Sequence, residues 1–154
     1  KVCYLFDNPP SHLLELAVVW LGNLVGCVLT GLLLRQTRIV TIAERAVSVC
    51  DTKLSDGMLS IFILAVFCNI LIYIAVDCYK NNPHHIGKYL GLMFGVMVFI
   101  LSGFEHCVAN MFYFSMANVW GLHAFLYLIV MTLGNAVGGI IFPLMKKMRQ
   151  RYGS

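Results

Sequence analysis

Two ionisable residues, Glu105 and His106, stand side by side in apolar sequence, with sixteen uncharged residues before them from Tyr89 and eleven after them to Ala117. Ionisable groups at membrane depth cost several kcal/mol and are candidates for function by default. Neighbours on a regular helix point about 100° apart, so one of the pair can face a pore while the other faces the protein interior. Asn110 lies four residues after His106, on the same helical face, within hydrogen-bonding reach. The competing reading makes His106 a satisfied interior histidine that holds a helix break. A metal site would need Glu105, His106 and Cys107 to converge, which neighbours on one helix do not do, so no metal is expected. His84 and His85 read as solvated loop residues and His123 as interfacial. No nucleophile–base pair or phosphate-binding loop points to an enzyme. No cofactor is expected either, since haem takes paired axial ligands on facing helices and only His106 sits deep.

The elements that must position these groups are membrane spans. The chain has 154 residues, 60% hydrophobic and 12% charged, with a mean hydropathy of +0.82. A soluble domain carries about 25% charged residues. The fold class expected is all-α, a polytopic membrane helix bundle in one transmembrane domain over 1–154. Spans are expected at 13–34, 58–78, 87–117 and 120–144. Each of the first two is long enough for a hydrocarbon layer of roughly 30 Å. The polar stretch 35–57 reads as a loop, with a short amphipathic helix around Ile42–Val49. Asn81-Asn82-Pro83 reads as a connector. The region Tyr89–Ala117 is too long for one untilted crossing, since its continuous helix would reach about 43 Å. A helix broken near 103–106 accounts for both its length and its charges, because non-helical backbone at membrane depth is tolerated where it lines a cavity or is buried in protein.

Four crossings put both ends of the chain on one side. Lys1, Lys80, Lys88, Lys146, Lys147, Arg149 and Arg151 then face Arg35, Arg38, Arg45 and Lys53 across the bilayer, a bias that places both termini in the cytoplasm. The net charge of +4 is therefore membrane anchoring, with no nucleic-acid partner. Cys3, Cys27, Cys50, Cys68, Cys78 and Cys107 form no C-x-x-C pair and read as free thiols. Residues 1–12 contain no signal-peptide-like apolar run, and the chain opens on Lys1.

Leu21-Gly22-Asn23-Leu24-Val25-Gly26 and Leu133-Gly134-Asn135-Ala136-Val137-Gly138 both read L-G-N-x-V-G. The paired glycines have the spacing that lets helix backbones approach closely, as do Gly91 and Gly95. Either a shared packing need or an inverted repeat explains the match. On the second reading, two helices of the earlier repeat are absent.

Gly103-Phe104-Glu105-His106, followed by Val108-Ala109-Asn110-Met111-Phe112, resembles the G-F-E-H-x-x-A-N-M-F signature of the formate/nitrite transporter family, which includes hydrosulfide channels. Lys53 followed by Cys68-Asn69 is similar to that family's fourth helix, and Gly134-Asn135 with Gly138-Gly139 to its last. The resemblance covers essentially the whole chain. It implies an aquaporin-like inverted repeat with a broken pore helix, in a homopentamer with one pore per protomer, in the inner (plasma) membrane. It assigns His106 as the central pore histidine, Lys53 as the lysine that draws anions into the vestibule, Phe99 as a constriction residue, and Asn69, Asn110 and Asn135 as polar positions near the pore, with Glu105 beside them. It implies passage of small monovalent anions, formate first, linked to protons at His106. Nitrite or hydrosulfide is the alternative, as is a non-transporting membrane subunit in which Glu105 and His106 only clamp a helix break. The departure is at the start: the family's first helix and broken second helix are missing.

Overall fold

A computed structural model describes residues 8–152, apart from the side chain of Val40; Lys1 and Cys3 lie outside the described residues. Among those residues the structure is all-helical, with α1 His12–Arg35, α2 Val40–Leu54, α3 Met58–Asn81, α4 His85–Leu101, α5 Cys107–Ala117 and α6 Leu122–Tyr152. α1, α3 and α6 are long and apolar enough to cross a membrane. α4 and α5 are shorter, with 17 and 11 residues.

Side-chain contacts fix the helix directions. Tyr127 donates to the Asp56 carbonyl (2.6 Å) at one end of the α3–α6 pair, and Lys146 Nζ donates to Asp77 (2.8 Å) at the other. α3 and α6 therefore run in parallel. A chain leaving α3 must recross the layer before α6 begins, and α4 and α5 together make that return. α4 packs antiparallel on α3, with Gly95 against Ala75 and Gly91 against Cys78. α1 runs alongside α5, with the Cys27 thiol on the Val108 carbonyl (3.5 Å) and Gly31 against Ser115. Hence α1 and α6 run in opposite directions. Trp20 and Thr132 each stand one residue before a copy of L-G-N-x-V-G, and the indole Nε1–H donates to the threonine hydroxyl at 3.1 Å. Equivalent positions of two antiparallel helices meet only near an axis that relates them, as an inverted repeat requires.

One segment differs from the sequence expectation. The stretch read as a loop with a helix at 42–49 is a 15-residue helix, α2. It contains no Gly or Pro before Gly57, and its alanines, Glu44, Arg45 and Leu54 are good helix formers. Its polar residues are mostly exposed, while Ala46 and Cys50 are buried where α2 packs on α5. α6 carries the expected apolar run and continues as helix through Pro143 to Tyr152. Basic side chains in its last turn favour the helix C-terminus. Cys27, Cys50, Cys68, Cys78 and Cys107 are free thiols.

The glycine pairs set how closely the helices approach. A Cβ at Gly134 would lie 2.6 Å from the Ala65 Cβ and the Phe62 carbonyl, and one at Gly138 would overlap the Val66 carbonyl. Among the described residues, nothing lies within 4 Å of a Cβ at Gly22, Gly26 or Gly121. Gly138→Ala is expected to destabilise the protein by about 1–3 kcal/mol through overpacking. Gly121→Ala should stay within about 0.5 kcal/mol of the parent. Thermal unfolding in detergent, followed by circular dichroism, checks the pair.

Candidate functional site

The site is built on the interruption between α4 and α5. α4 ends in a Schellman turn: Gly103 N–H reaches the Ile100 carbonyl (3.2 Å) and Phe104 N–H the Phe99 carbonyl (3.1 Å). The turn needs a left-handed residue, and Gly103 supplies it at φ 68°. His106 then caps α5 in an extended conformation, its ring Nδ1 accepting from the Ala109 N–H at 3.4 Å. This leaves Nε2 to carry the proton of a neutral ring. The Phe99 ring lies beside it, with centroids 5.9 Å apart.

Asn135 holds the interruption from α6. Its Oδ1 accepts from the Cys107 N–H (2.8 Å), and its Nδ2 donates to the Glu105 and Ala65 carbonyls (2.8 Å each). Its own backbone carbonyl accepts from Asn69 Nδ2 (2.5 Å). One amide thus joins α3, the break and α6. Glu105 is 2% exposed. Its Oε2 accepts from Lys53 Nζ at 2.6 Å and from Asn110 Nδ2 at 2.8 Å. Asn110 bonds to the His106 backbone carbonyl (3.0 Å) rather than to the ring. Both groups facing its Nδ2 are acceptors, which fixes the amide orientation. Its buried Oδ1 has no partner among the described residues.

The seven residues singled out from sequence fall into two groups. Glu105, Lys53, Asn110, Asn135 and Asn69 form a hydrogen-bonded network in the protein interior. His106 and Phe99 pack on each other. Lys53 is held in a nearly buried ion pair, with the two side chains 13% and 3% exposed. His84 and His85 begin α4 and are exposed, and exposed His123 sits edge-on to the Tyr127 ring, with centroids 4.6 Å apart. Among the described residues no cluster of three His, Cys, Asp or Glu side chains could hold a metal.

A groove of about 730 Å³ opens between α1, α3, α6 and the start of α5. Its walls are mainly apolar, with His106, Asn23, Asn69, Thr132 and Asn135 as the polar groups. Cys107 and Val108, the first residues of α5, also line it. The amino end of a half-helix therefore opens on the groove, and such an end carries partial positive charge. Trp20 and Thr132 were not singled out from sequence. Their shared place before the repeated motif was the available signal.

The profile of the formate/nitrite transporter family matches residues 9–148. The chain belongs to the formate/nitrite transporter family. It is 34% identical to a probable formate transporter of Methanothermobacter thermautotrophicus over 146 residues, covering 80% of this chain and 53% of that protein. It is 32% identical to the nitrite transporter NirC of Salmonella typhimurium over 140 residues, covering 80% and 49%. It is 29% identical to the formate channel FocA of Haemophilus influenzae over 153 residues, covering 80% and 54%. All three are transporters or channels, not enzymes. The chain spans about half the length of these relatives.

The Lys53–Glu105 pair makes a direct test of the network. Removing one partner of a buried ion pair strands the other, at a cost of about 3–5 kcal/mol. Lys53→Met is expected to lose that much unfolding free energy in detergent. The double variant Lys53→Met/Glu105→Gln should recover part of the loss. Strictly additive losses would mean that the two residues do not interact.

Proposed function

We propose that this chain forms one wall of a transmembrane pathway for small monovalent anions, with formate the favoured substrate and His106 the group each anion must pass. The observation that carries the reading is the groove beside the break, where His106 and the amino end of α5 face a mainly apolar space. An anion in such a space meets a desolvation barrier. A half-helix amino end and an imidazole N–H lower it with fixed donors that need no rearrangement. Protonating a weak-acid anion at His106 removes the charge before the driest part of the path. Formate, nitrite and hydrosulfide all suit that chemistry, and two of the relatives above carry the words formate transporter and formate channel in their names. The Lys53–Glu105 pair mainly holds the break, and the attraction of Lys53 for anions is moderated by its carboxylate partner.

The groove is completed, on this reading, by helices that are not among these residues. Gly134 and Gly138 dock α6 on α3, whereas Gly22 and Gly26 in the matching motif of α1 meet nothing within 4 Å among the described residues. Asn135 makes three side-chain hydrogen bonds, whereas its counterpart Asn23 is exposed and lines the groove. The same symmetry supports a second broken segment opposite the first. The assembly proposed is a homopentamer in the inner membrane, with both ends of this chain on the cytoplasmic side.

Formate flux into proteoliposomes, measured from pH 5 to 8 on the assembled channel that contains these residues, tests the role of His106. An imidazole titrates near neutral pH, and asparagine keeps hydrogen bonding but does not titrate. His106→Asn is expected to assemble and to lose the pH dependence of flux. An unchanged pH profile in assembled His106→Asn removes His106 from proton transfer and favours a purely structural clamp. No formate flux at any pH from the assembled parent rejects the anion pathway itself.

A further inference from the structure

The last turns of α6 carry a feature that the groove does not use. With 31 residues, α6 is about 46 Å long, against a hydrocarbon layer of about 30 Å. Lys146 pairs with Asp77 at the point where the apolar run of α3 also ends, so this ion pair marks the membrane boundary on both helices. From Lys146 to Tyr152 the helix rises about 9 Å further, close to the depth of one headgroup layer. Met145, Met148 and Tyr152, spaced by three and four, share one face and are exposed. By helical geometry that face points away from Lys146 and hence from α3. Arg151 flanks it on one side and Arg149 on the other, while Lys147, like Lys146, lies on the far side of the helix. The Arg151 guanidinium lies 5.9 Å from the centre of the Tyr152 ring.

We infer that Met145–Tyr152 of α6 is a binding surface for anionic phospholipid headgroups. Met145, Met148 and Tyr152 sit at the glycerol level, and Arg149 and Arg151 contact the phosphates. Charge complementarity identifies the occupant. Among the described residues this end of the bundle carries Lys80, Lys88, Lys146, Lys147, Arg149 and Arg151 against Glu15 and Asp77 alone. At the opposite end Arg35, Arg38 and Arg45 are matched in number by Glu44, Asp51 and Asp56, and Lys53 is paired inside. A basic cluster just beyond a membrane span, with long side chains reaching outward from an apolar stripe, is the pattern that holds acidic lipid. The guanidinium groups also match phosphate oxygens in pairs.

The test titrates the full chain in dodecyl maltoside with phosphatidylglycerol and, separately, with phosphatidylcholine, reading the melting temperature. Phosphatidylglycerol is expected to raise it saturably and phosphatidylcholine not. Each of Arg149→Gln and Arg151→Gln should raise the half-saturating phosphatidylglycerol concentration about fivefold, and the double variant about thirtyfold. Arg35→Gln/Arg38→Gln, at the other end of the bundle, should leave it unchanged. The proposal is overturned if the Arg149/Arg151 double variant keeps the parent midpoint. It is equally overturned if phosphatidylcholine stabilises as well as phosphatidylglycerol, or if inorganic phosphate at the same concentrations reproduces the effect.

Discussion

A chain that stops being helical inside a hydrocarbon layer must satisfy its freed backbone groups within the protein, because no water is there to do so. Asn135 answers that constraint. Its side chain accepts the Cys107 N–H that α5 leaves open and donates to the Glu105 and Ala65 carbonyls. Gly103 closes the other half of the interruption by letting α4 end in a left-handed turn. Without these two devices α4 and α5 would be driven toward one continuous helix, and His106 would lose its capping position.

The buried charges follow from the same constraint. Glu105 lies immediately before the capping residue, inside the bundle, and a carboxylate there needs compensation. Lys53 supplies it from the last turn of α2, which among the described helices is the one too polar to span. That explains why so polar a helix packs on α5 at all: it delivers an ammonium to the break. Asn110 adds a donor to the same carboxylate oxygen, while its own Oδ1 has no partner among the described residues. Glycines then allow the close approach of α3, α4 and α6 on which these short polar contacts depend.

Much of this was legible in the sequence because membrane physics makes polar residues conspicuous. Glu105 and His106 stood out against apolar neighbours, and the excess length of Tyr89–Ala117 required an interruption. Helical spacing from His106 picked out Asn110, and family resemblance supplied the remaining names: Lys53, Asn69, Asn135 and Phe99. Spacing alone does not reveal that Lys53 and Glu105 pair across 52 residues, since such a contact depends on how α2 lies against α5. The full extent of α2 was hidden for a similar reason. Its polar residues mimic a loop when read by hydropathy, and its helical propensity becomes informative only once Ala46 and Cys50 are seen to be buried. The residues beyond Pro143 include good helix formers, and α6 runs on past it to Tyr152.

The central claim is that the break presents the His106 imidazole to the groove as an N–H donor. Solid-state nitrogen NMR of histidine-labelled protein in lipid measures this directly, with His106 assigned by difference against His106→Asn. Acceptance of the Ala109 N–H by Nδ1 predicts a neutral ring at mildly alkaline pH that is protonated on Nε2 and bare on Nδ1. The Nε2 signal should move when formate is added to the assembled protein. A ring protonated on Nδ1, or an Nε2 signal indifferent to formate, would contradict the account.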